Sequence, residues 1–458
     1  MGSRRESGRV STERQEPFPK GLHHAYLFAW FNALSYQVVL GGPMILYAKL
    51  LGASATVLGI IAGMMPLLVI LQIPAASHIP RIGYRRFVVG GWSIRVIFIL
   101  GMATVPLLGG VLNAQNQLAL LLFFLFGFNL SRGISSCAWL PWITALVPEG
   151  VRGRYLARDA AIQNVAGTVT FWVAAALLGT KAEPWRFAVL FGLSAAMGWA
   201  SLIFLRRIPD VPIVAETGGS IGSVPWLAMI QHRPFRRLLE VVVAWSVAYG
   251  GVTAFTVAFL RSSLGLSEAQ VLWMTSITFL GGLSSLWFLG SRLDQLGSRP
   301  VIEFCGAGWI VVVAGWLMLA GHVMSARAWA VLMLQFFMGL LAALVQMAHT
   351  RLAMAVIPPM GRNHFFALYS VASNVTLGLS PIGWGLWIDA IGERHWYWLG
   401  IDWNRYSLFY VAVTLGFCVL LLLARRLWEP KAVSMEALLR EILIQSPQRF
   451  WLRFWPRA

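Results

Sequence analysis

Long apolar runs alternate with short polar segments along almost the whole of the 458-residue chain. A helix that crosses the hydrocarbon layer of a bilayer needs about 20 mostly apolar residues. Twelve runs approach that length, so the pattern predicts an all-α membrane protein with twelve transmembrane helices. The runs lie at residues 24–48, 55–76, 87–110, 117–139, 160–180, 187–205, 238–260, 268–290, 301–322, 328–349, 365–388 and 406–424.

The composition supports this interpretation. Hydrophobic residues make up 58% of the chain and charged residues only 12%, whereas soluble domains average about 45–50% and about 25%. The excess apolar residues must therefore face lipid. The net charge of +18 comes from basic residues in short loops between the apolar runs. DNA-binding domains instead cluster basic residues on one face, so we expect no nucleic-acid partner.

The distribution of Lys and Arg predicts the orientation. Of the 36 basic residues, 27 fall in the termini and in alternate loops, and 7 fall in the loops on the other side. Since cytoplasmic loops carry the excess of Lys and Arg, both termini are predicted to be cytoplasmic. The predicted units are an N-terminal segment (1–22), a six-helix half (23–206), a cytoplasmic linker (207–237), a second six-helix half (238–426) and a cytoplasmic amphipathic tail (427–458).

Short matches in the same order indicate that the two halves are related. Leu51-Gly52-Ala-Ser54 precedes the second span, and Leu264-Gly265-Leu-Ser267 precedes the eighth. Each serine stands where it could cap the helix that follows. The loop after each of these spans also matches its counterpart without gaps. Such repeats are typical of transporter folds.

The loop after the eighth span carries Gly290, Asp294, Gly297 and Arg299. It resembles the G-x-x-x-D-[RK]-x-G-R-[RK] signature of the major facilitator superfamily. The first-half copy keeps Arg81, Gly83 and Arg85, while Pro80 replaces the aspartate. The resemblance implies two pseudo-symmetric six-helix halves, alternating access, and a role for these loops as cytoplasmic conformational latches. It also implies that spans 1, 4, 7 and 10 line a central cavity, flanked by spans 2, 5, 8 and 11.

Polar side chains inside membrane spans are costly, so they are the candidates for substrate binding. The candidates on the spans that the family places at the cavity are Asn32, Tyr36, Gln37, Asn129, Arg132, Gln163, Ser246, Tyr249, Gln335, Gln346 and Asn374. Asn32 and Tyr36 are four residues apart and share a helix face.

Arg132 is the deepest charge among these candidates. An arginine near the middle of a span costs about 2.5–3.5 kcal/mol, so it should face a cavity or a partner. Two interpretations stay open: Arg132 contacts an anionic or hydrogen-bonding solute, or it is structural and binds carbonyls or extends to the cytoplasmic face. Arg95 lies at a similar depth in the third span, which is usually peripheral in the family.

The acidic residues and histidines all fall at span ends or in loops, with Asp159 opening the fifth span. Proton coupling through a mid-membrane carboxylate is therefore disfavoured, while exchange, facilitated diffusion or coupling through Glu240 stays open. A neutral polar or anionic small solute is weakly favoured. The sequence thus predicts a secondary transporter working by alternating access. The alternatives are an exporter of drug-like or lipid-like molecules and a non-transporting receptor or scaffold of the same fold.

An enzyme is not expected, because intramembrane catalysis needs a nucleophile with a base, or a metal cluster, within the spans. Cys137, Cys305 and Cys418 are far apart and have no metal-ligand spacing. We expect no cofactor, no metal and no catalytic residue. The expected partners are a small-molecule substrate and the lipid bilayer. The protein is predicted to be monomeric, in the cytoplasmic membrane of a bacterium.

Overall fold

The computed structural model of the chain is almost entirely helical and describes residues 21–147, 149–212, 226–288, 297–356 and 362–427. One short antiparallel hairpin pairs β1 (Trp396–Trp398) with β2 (Ile401–Trp403). The helices are α1 His23–Leu40, α2 Gly42–Leu50, α3 Ala55–Leu68, α4 Gln72–Ala76, α5 Ile79–Ile82, α6 Tyr84–Thr104, α7 Ala114–Ser135, α8 Trp139–Leu146, α9 Glu149–Leu178, α10 Pro184–Leu205, α11 Trp226–Gln231, α12 Arg233–Tyr249, α13 Val252–Ser262, α14 Glu268–Phe288, α15 Ser298–Ala320, α16 Ala328–Val356, α17 Arg362–Ile391 and α18 Arg405–Ala424.

Ten segments of the described chain are long and apolar enough to cross a membrane. They coincide with ten of the twelve predicted spans. The first predicted span corresponds to α1 and α2, and the eighth to α14. The all-α membrane fold is thus confirmed, while the count of twelve, the cytoplasmic termini and the unit boundaries stay predictions. Most of the predicted N-terminal segment, part of the linker and nearly all of the tail lie outside the described residues.

Several spans are interrupted at a proline or at a glycine that packs closely against another helix. Pro43 lies in the first turn of α2, which follows Gly41, and a Cβ added to Gly41 would lie 3.0 Å from the Phe171 ring. Pro66 lies in the last turn of α3, and the span continues through a 3-10 turn into α4. Proline has no backbone N–H for the helical ladder, so such breaks are expected at these points.

The internal repeat is visible in matching local geometry. Ser54 accepts a hydrogen bond from the Val57 backbone (3.4 Å), and Ser267 accepts one from the Gln270 backbone (3.3 Å). The predicted serine caps are therefore confirmed. Gly83 and Gly297 precede α6 and α15 with the same φ of 87°, a conformation that L-residues with side chains rarely adopt.

The two halves meet along two pairs of helices: α3 packs on α17, and α9 packs on α14. The first contact is very close, because a Cβ added to Gly63 would overlap the Gly378 carbonyl oxygen. In the second, the Trp172 indole donates to the Ser276 hydroxyl over 3.0 Å. The candidate side chains of the first half lie on α1, α7 and α9, inside this framework.

Candidate functional site

The first half contains a hydrogen-bonded chain of polar side chains that starts on α1. The Tyr36 hydroxyl donates to Gln163 Oε1 on α9 over 2.9 Å. Gln163 Nε2 in turn donates to Asp159 Oδ2 over 2.6 Å. Gln37 Nε2 lies 3.5 Å from the Tyr36 oxygen. Three of the predicted residues, Tyr36, Gln37 and Gln163, are thereby brought together.

Arg132 projects from α7 towards this chain. Its guanidinium carbon lies 5.9 Å from the centroid of the Tyr36 ring, a cation–π distance. The side chain is half-buried. Among the described residues it has no carboxylate within ion-pairing distance. Even a partly buried cation without a counter-ion costs free energy, so Arg132 can bind an anionic or strongly polar group of a solute.

Arg95 holds the neighbouring Asn32 in one orientation. Asn32 Oδ1 accepts a hydrogen bond from Arg95 and another from the Trp92 indole (3.2 Å). The Arg95 guanidinium is buried between the rings of Trp92 (4.9 Å) and Phe128 (5.4 Å). Because the Asn32 oxygen is occupied, its amide nitrogen is the group left to donate elsewhere.

Asn129, the remaining candidate of the first half, is fully buried on α7. Its Nδ2 donates to the Leu125 carbonyl over 3.0 Å, along its own helix. Its Oδ1 has no hydrogen-bond partner in the described part of the chain. Buried amide oxygens usually have a partner, so Asn129 keeps an acceptor that a solute or a water molecule can use.

The candidates of the second half lie in different surroundings. Ser246 is buried with an unpartnered hydroxyl, and the Tyr249 ring stacks on Trp245 at 4.9 Å. Trp309 and Phe417 complete an aromatic cluster, with their rings stacked at 5.1 Å. His349 lies edge-on to Trp245 at 5.8 Å. We call Trp245, Tyr249, Trp309, His349 and Phe417 the aromatic cluster.

The other three second-half candidates do not join that cluster by any described hydrogen bond. Gln335 Oε1 accepts from Thr278 over 2.8 Å and so links α16 to α14. Gln346 is exposed, and Asn374 donates to the Ser370 carbonyl of its own helix over 2.8 Å. Their assignment to substrate binding stays a prediction. Residue type and span position could not distinguish helix–helix contacts from cavity positions.

Asp159 is a further candidate residue that the sequence pattern did not single out. The predicted fifth span began at residue 160, which placed Asp159 at its entrance. The helix α9 in fact begins at Glu149, so Asp159 lies within it and is half-buried. The i, i+4 spacing to Gln163 was the available signal, because residues four apart share a helix face.

The side opposite the basic loops, which we call the outer side, holds a contact between the halves. The Asp389 carboxylate at the end of α17 accepts from the backbone N–H of Ala55 (2.9 Å) and of Thr56 (2.8 Å), and from the Thr56 hydroxyl (2.6 Å). These donors form the N-terminus of α3, where a negative charge is favoured. Asp389 therefore fastens one half to the other.

The predicted latch loops lie on the opposite side. Arg85 donates to the Arg206 carbonyl at the start of the linker. A cleft of about 470 Å³ separates the strip Pro80–Gly83, which includes Arg81, from Asp210–Pro212. Arg299 pairs with Glu303 at 2.8 Å. Gly290 and Asp294 lie outside the described residues, so the latch role stays a prediction.

Comparison with known proteins agrees with this fold. The sequence model described as Major Facilitator Superfamily matches residues 246–455. The chain superimposes on the nucleoside transporter NupG, solved as a mutant, with a TM-score of 0.68 and 12% identity, over 90% of this chain and 100% of that one. It also superimposes on the inward-open xylose transporter XylE from E. coli, with a TM-score of 0.63 and 14% identity, over 91% and 98%.

Curated relatives match about half of the chain. Autophagy-related protein 22-1 of Aspergillus clavatus is 27% identical over 242 residues, 46% of this chain and 38% of that protein. Autophagy-related protein 22-2 of Emericella nidulans is 27% identical over 245 residues, 46% of this chain and 40% of that protein. The spans and the fold define a multi-pass integral membrane protein with the fold of these transporters. Over residues 246–455 its sequence also matches the major facilitator superfamily.

Proposed function

We propose that this protein is a secondary transporter that moves a small neutral polar or anionic solute by alternating access. The observation that carries the proposal is Arg132, which lies within a membrane span beside Tyr36 and has no counter-ion among the described residues. Polar and charged groups of this kind mark substrate pathways in membrane proteins.

The solute would bind between the two halves, mainly through the first. Arg132 would pair with its negative or most polar group, while Tyr36, Gln37, Gln163 and the amide nitrogen of Asn32 would supply hydrogen bonds. The charges of Arg132 and Arg95 both act on Tyr36, with the single opposing charge of Asp159. This balance of two cations against one anion supports an anionic solute over a cationic one.

The second half would contribute shape and a hydrophobic wall. Tyr249 and the buried Ser246 hydroxyl lie at the edge of the aromatic cluster, on a helix that lines the cavity in this family. We place the protein, as a monomer, in the cytoplasmic membrane of a bacterium, with both termini inside. That location rests on the sequence, since the curated relatives reported above are fungal proteins.

A ligand screen on the purified protein tests the proposal. The melting temperature in detergent is measured with sugars, organic acids, amino acids, nucleosides, lysolipids and drugs, each at high concentration. A ligand at about 100 times its dissociation constant stabilises a protein by about 2.7 kcal/mol. We expect a neutral or anionic compound to raise the melting temperature, and the same compound to enter proteoliposomes that contain the protein.

Two variants separate binding from general effects of charge. Arg132→Ala should abolish the shift in melting temperature, whereas Arg86→Ala, which removes an exposed arginine on α6, should retain it. A response confined to cationic drugs would contradict the proposal, as would an unchanged response in Arg132→Ala. Silence across the panel from a folded sample would favour a non-transporting receptor.

A further inference from the structure

Two hydrogen bonds connect Tyr36 to Gln163 and Gln163 to Asp159, and in both the donor lies on the Tyr36 side. We call these two bonds the hydrogen-bonded chain. We propose that Asp159 is a proton-binding site whose protonation reverses this chain, so that Tyr36 changes from an acceptor to a donor of hydrogen bonds towards the solute. The inference rests on the proposed function, because it concerns how the same site is controlled. It revises the sequence-based expectation, which disfavoured a carboxylate of this kind.

The direction of the chain follows from its two hydrogen bonds. The Tyr36 O–H points at Gln163 Oε1 (2.9 Å), and the Gln163 N–H points at Asp159 Oδ2 (2.6 Å). A carboxylate can only accept, so ionised Asp159 fixes the orientation of the Gln163 amide. The amide in turn fixes the hydrogen of Tyr36. The Tyr36 oxygen can then only accept hydrogen bonds from other groups, because its hydrogen is used in the bond to Gln163.

In the described parts of the structure, no positively charged side chain neutralises the Asp159 carboxylate, so protonation is the available way to remove its charge. In the described parts of the chain, the carboxylate has Gln163 as its hydrogen-bond partner and no cation within ion-pairing distance. Tyr36 on α1 and Tyr155 on α9 are the titratable groups that respond to its charge. Helix α14, which packs on α9, has no ionisable residue from 269 to 288.

Protonation changes one O–H bond and rearranges two hydrogen bonds. A proton from water on the cytoplasmic side adds to a carboxylate oxygen of Asp159. The new acid O–H becomes a donor. The Gln163 amide then turns over, so that its Oε1 accepts from Asp159 and its Nε2 donates to the Tyr36 oxygen. The Tyr36 hydrogen is released and can point towards the solute.

This switch matters because of the position of Arg132. The Arg132 guanidinium lies beside the Tyr36 ring, so both groups can reach one oxyanion. With Asp159 protonated, Arg132 and Tyr36 both donate to that anion. With Asp159 ionised, the lone pairs of the Tyr36 oxygen face the anion, and the negative charge of the Asp159 carboxylate also repels it. Binding of an anionic solute should therefore strengthen when Asp159 takes up a proton.

Infrared difference spectroscopy of the full-length protein tests the switch with the proton as its only ligand. Spectra are recorded across the pH range in which the protein stays folded. We expect a carbonyl band of a protonated carboxylic acid to appear as the pH falls, together with a shift of the tyrosine C–O band. Asp159→Asn should lose the acid band, and Tyr36→Phe should lose the tyrosine shift.

Two further variants show whether the acid band and the tyrosine shift are linked through Gln163. Gln163→Leu cuts the chain, so it should keep the acid band but lose the tyrosine shift. Glu240→Gln neutralises a carboxylate within α12 that pairs with Arg236, and should keep both signals. An acid band that survives in Asp159→Asn would overturn the proposal, as would a tyrosine shift that survives in Gln163→Leu. Neither result depends on finding a transported solute.

Discussion

The two halves share a fold but differ in the chemistry that they enclose. The first half holds two arginines, an aspartate and several amides: hydrogen bonds link Tyr36 to Gln163 and Asp159, and Arg95 separately bonds Asn32. The second half holds the aromatic cluster, in which Trp245, Tyr249 and Trp309 lie within 6 Å of one another, with ring-centroid distances of 4.9, 5.5 and 5.9 Å.

This difference indicates a division of labour. A repeated fold needs both halves to move as rigid bodies, but it does not need both to carry charge. We expect the aromatic cluster to stabilise the second half through packing, and the residues around Tyr36 in the first half to recognise the solute. Substitutions in the two halves should therefore have different consequences: lost stability in the second, and lost binding or switching in the first.

The largest effect is expected from Trp309→Ala in the aromatic cluster. Trp309 is fully buried, and replacing a buried Trp with Ala costs about 3–5 kcal/mol. The melting temperature in detergent should fall steeply, while solute affinity of the protein that stays folded should change little. Trp309→Phe, which keeps an aromatic ring on Phe417, is the matched control and should cost much less. A selective loss of affinity in Trp309→Ala would break the proposed division.

The next effect concerns the contact of Asp389 with the N-terminus of α3, which joins the halves on the outer side. Asp389→Asn removes the charge at the N-terminus of α3 and at least one of the three hydrogen bonds. Such caps contribute about 0.5–2 kcal/mol, so the outward-open population should rise by about 2- to 30-fold. Distances between spin labels on the outer ends of α3 and α17 measure this change.

Glu393→Gln is the control for that experiment. Glu393 is also an outer-side carboxylate, but it pairs with Arg405 of its own half at 2.7 Å. Its neutralisation should leave the distances between the halves unchanged. If both variants increase the distances between the halves equally, the cause is the loss of a negative charge on the outer side and not the loss of the contact with the N-terminus of α3.

Periodicity and composition identified much of this architecture. The caps formed by Ser54 and Ser267 could be predicted, because the signals for the start of a helix lie in residues close together in the sequence. Arg132 could be singled out because a charge in a span is costly wherever its neighbours lie. Asp389 could not, since its partners Ala55 and Thr56 are 334 and 333 positions away. The hydrogen bond of Gln335 to Thr278 on a neighbouring helix could not be predicted either, because it is set by packing, and the assignment of Gln335 to substrate binding stays a prediction.

A smaller effect is expected in the outer loop of the second half. Asp402 is buried in β2, where it contacts His395 at 3.0 Å and His322 at 3.2 Å. Burial alone would raise the pKa of Asp402, but hydrogen bonds from His395 and Asn404 and the two imidazoles outweigh it and hold the pKa below its usual value. A depressed pKa stabilises the fold above the ordinary aspartate pKa of about 3.9, and this contribution disappears as the pH falls through the lowered value.

The pH dependence of Asp402→Asn checks that sign. At neutral pH the variant should be less stable than the natural sequence by about 1–2 kcal/mol. The difference in melting temperature should shrink as the pH falls below about 4. Asp210→Asn, at an exposed aspartate of the predicted linker, should show no such difference. A gap that widens in acid would contradict the assignment.

The smallest and most direct comparison uses one tyrosine from each half. Tyr36→Phe removes the hydroxyl that donates to Gln163, whereas Tyr249→Phe removes the hydroxyl of the ring that stacks on Trp245 in the aromatic cluster. A hydrogen bond contributes about 0.5–1.5 kcal/mol, so at a pH at which Asp159 is protonated Tyr36→Phe should weaken solute binding by about 2- to 10-fold. Tyr249→Phe should lower the melting temperature slightly and leave the affinity unchanged. Equal losses of affinity in both variants would mean that the halves share recognition, in spite of the different side chains that they enclose.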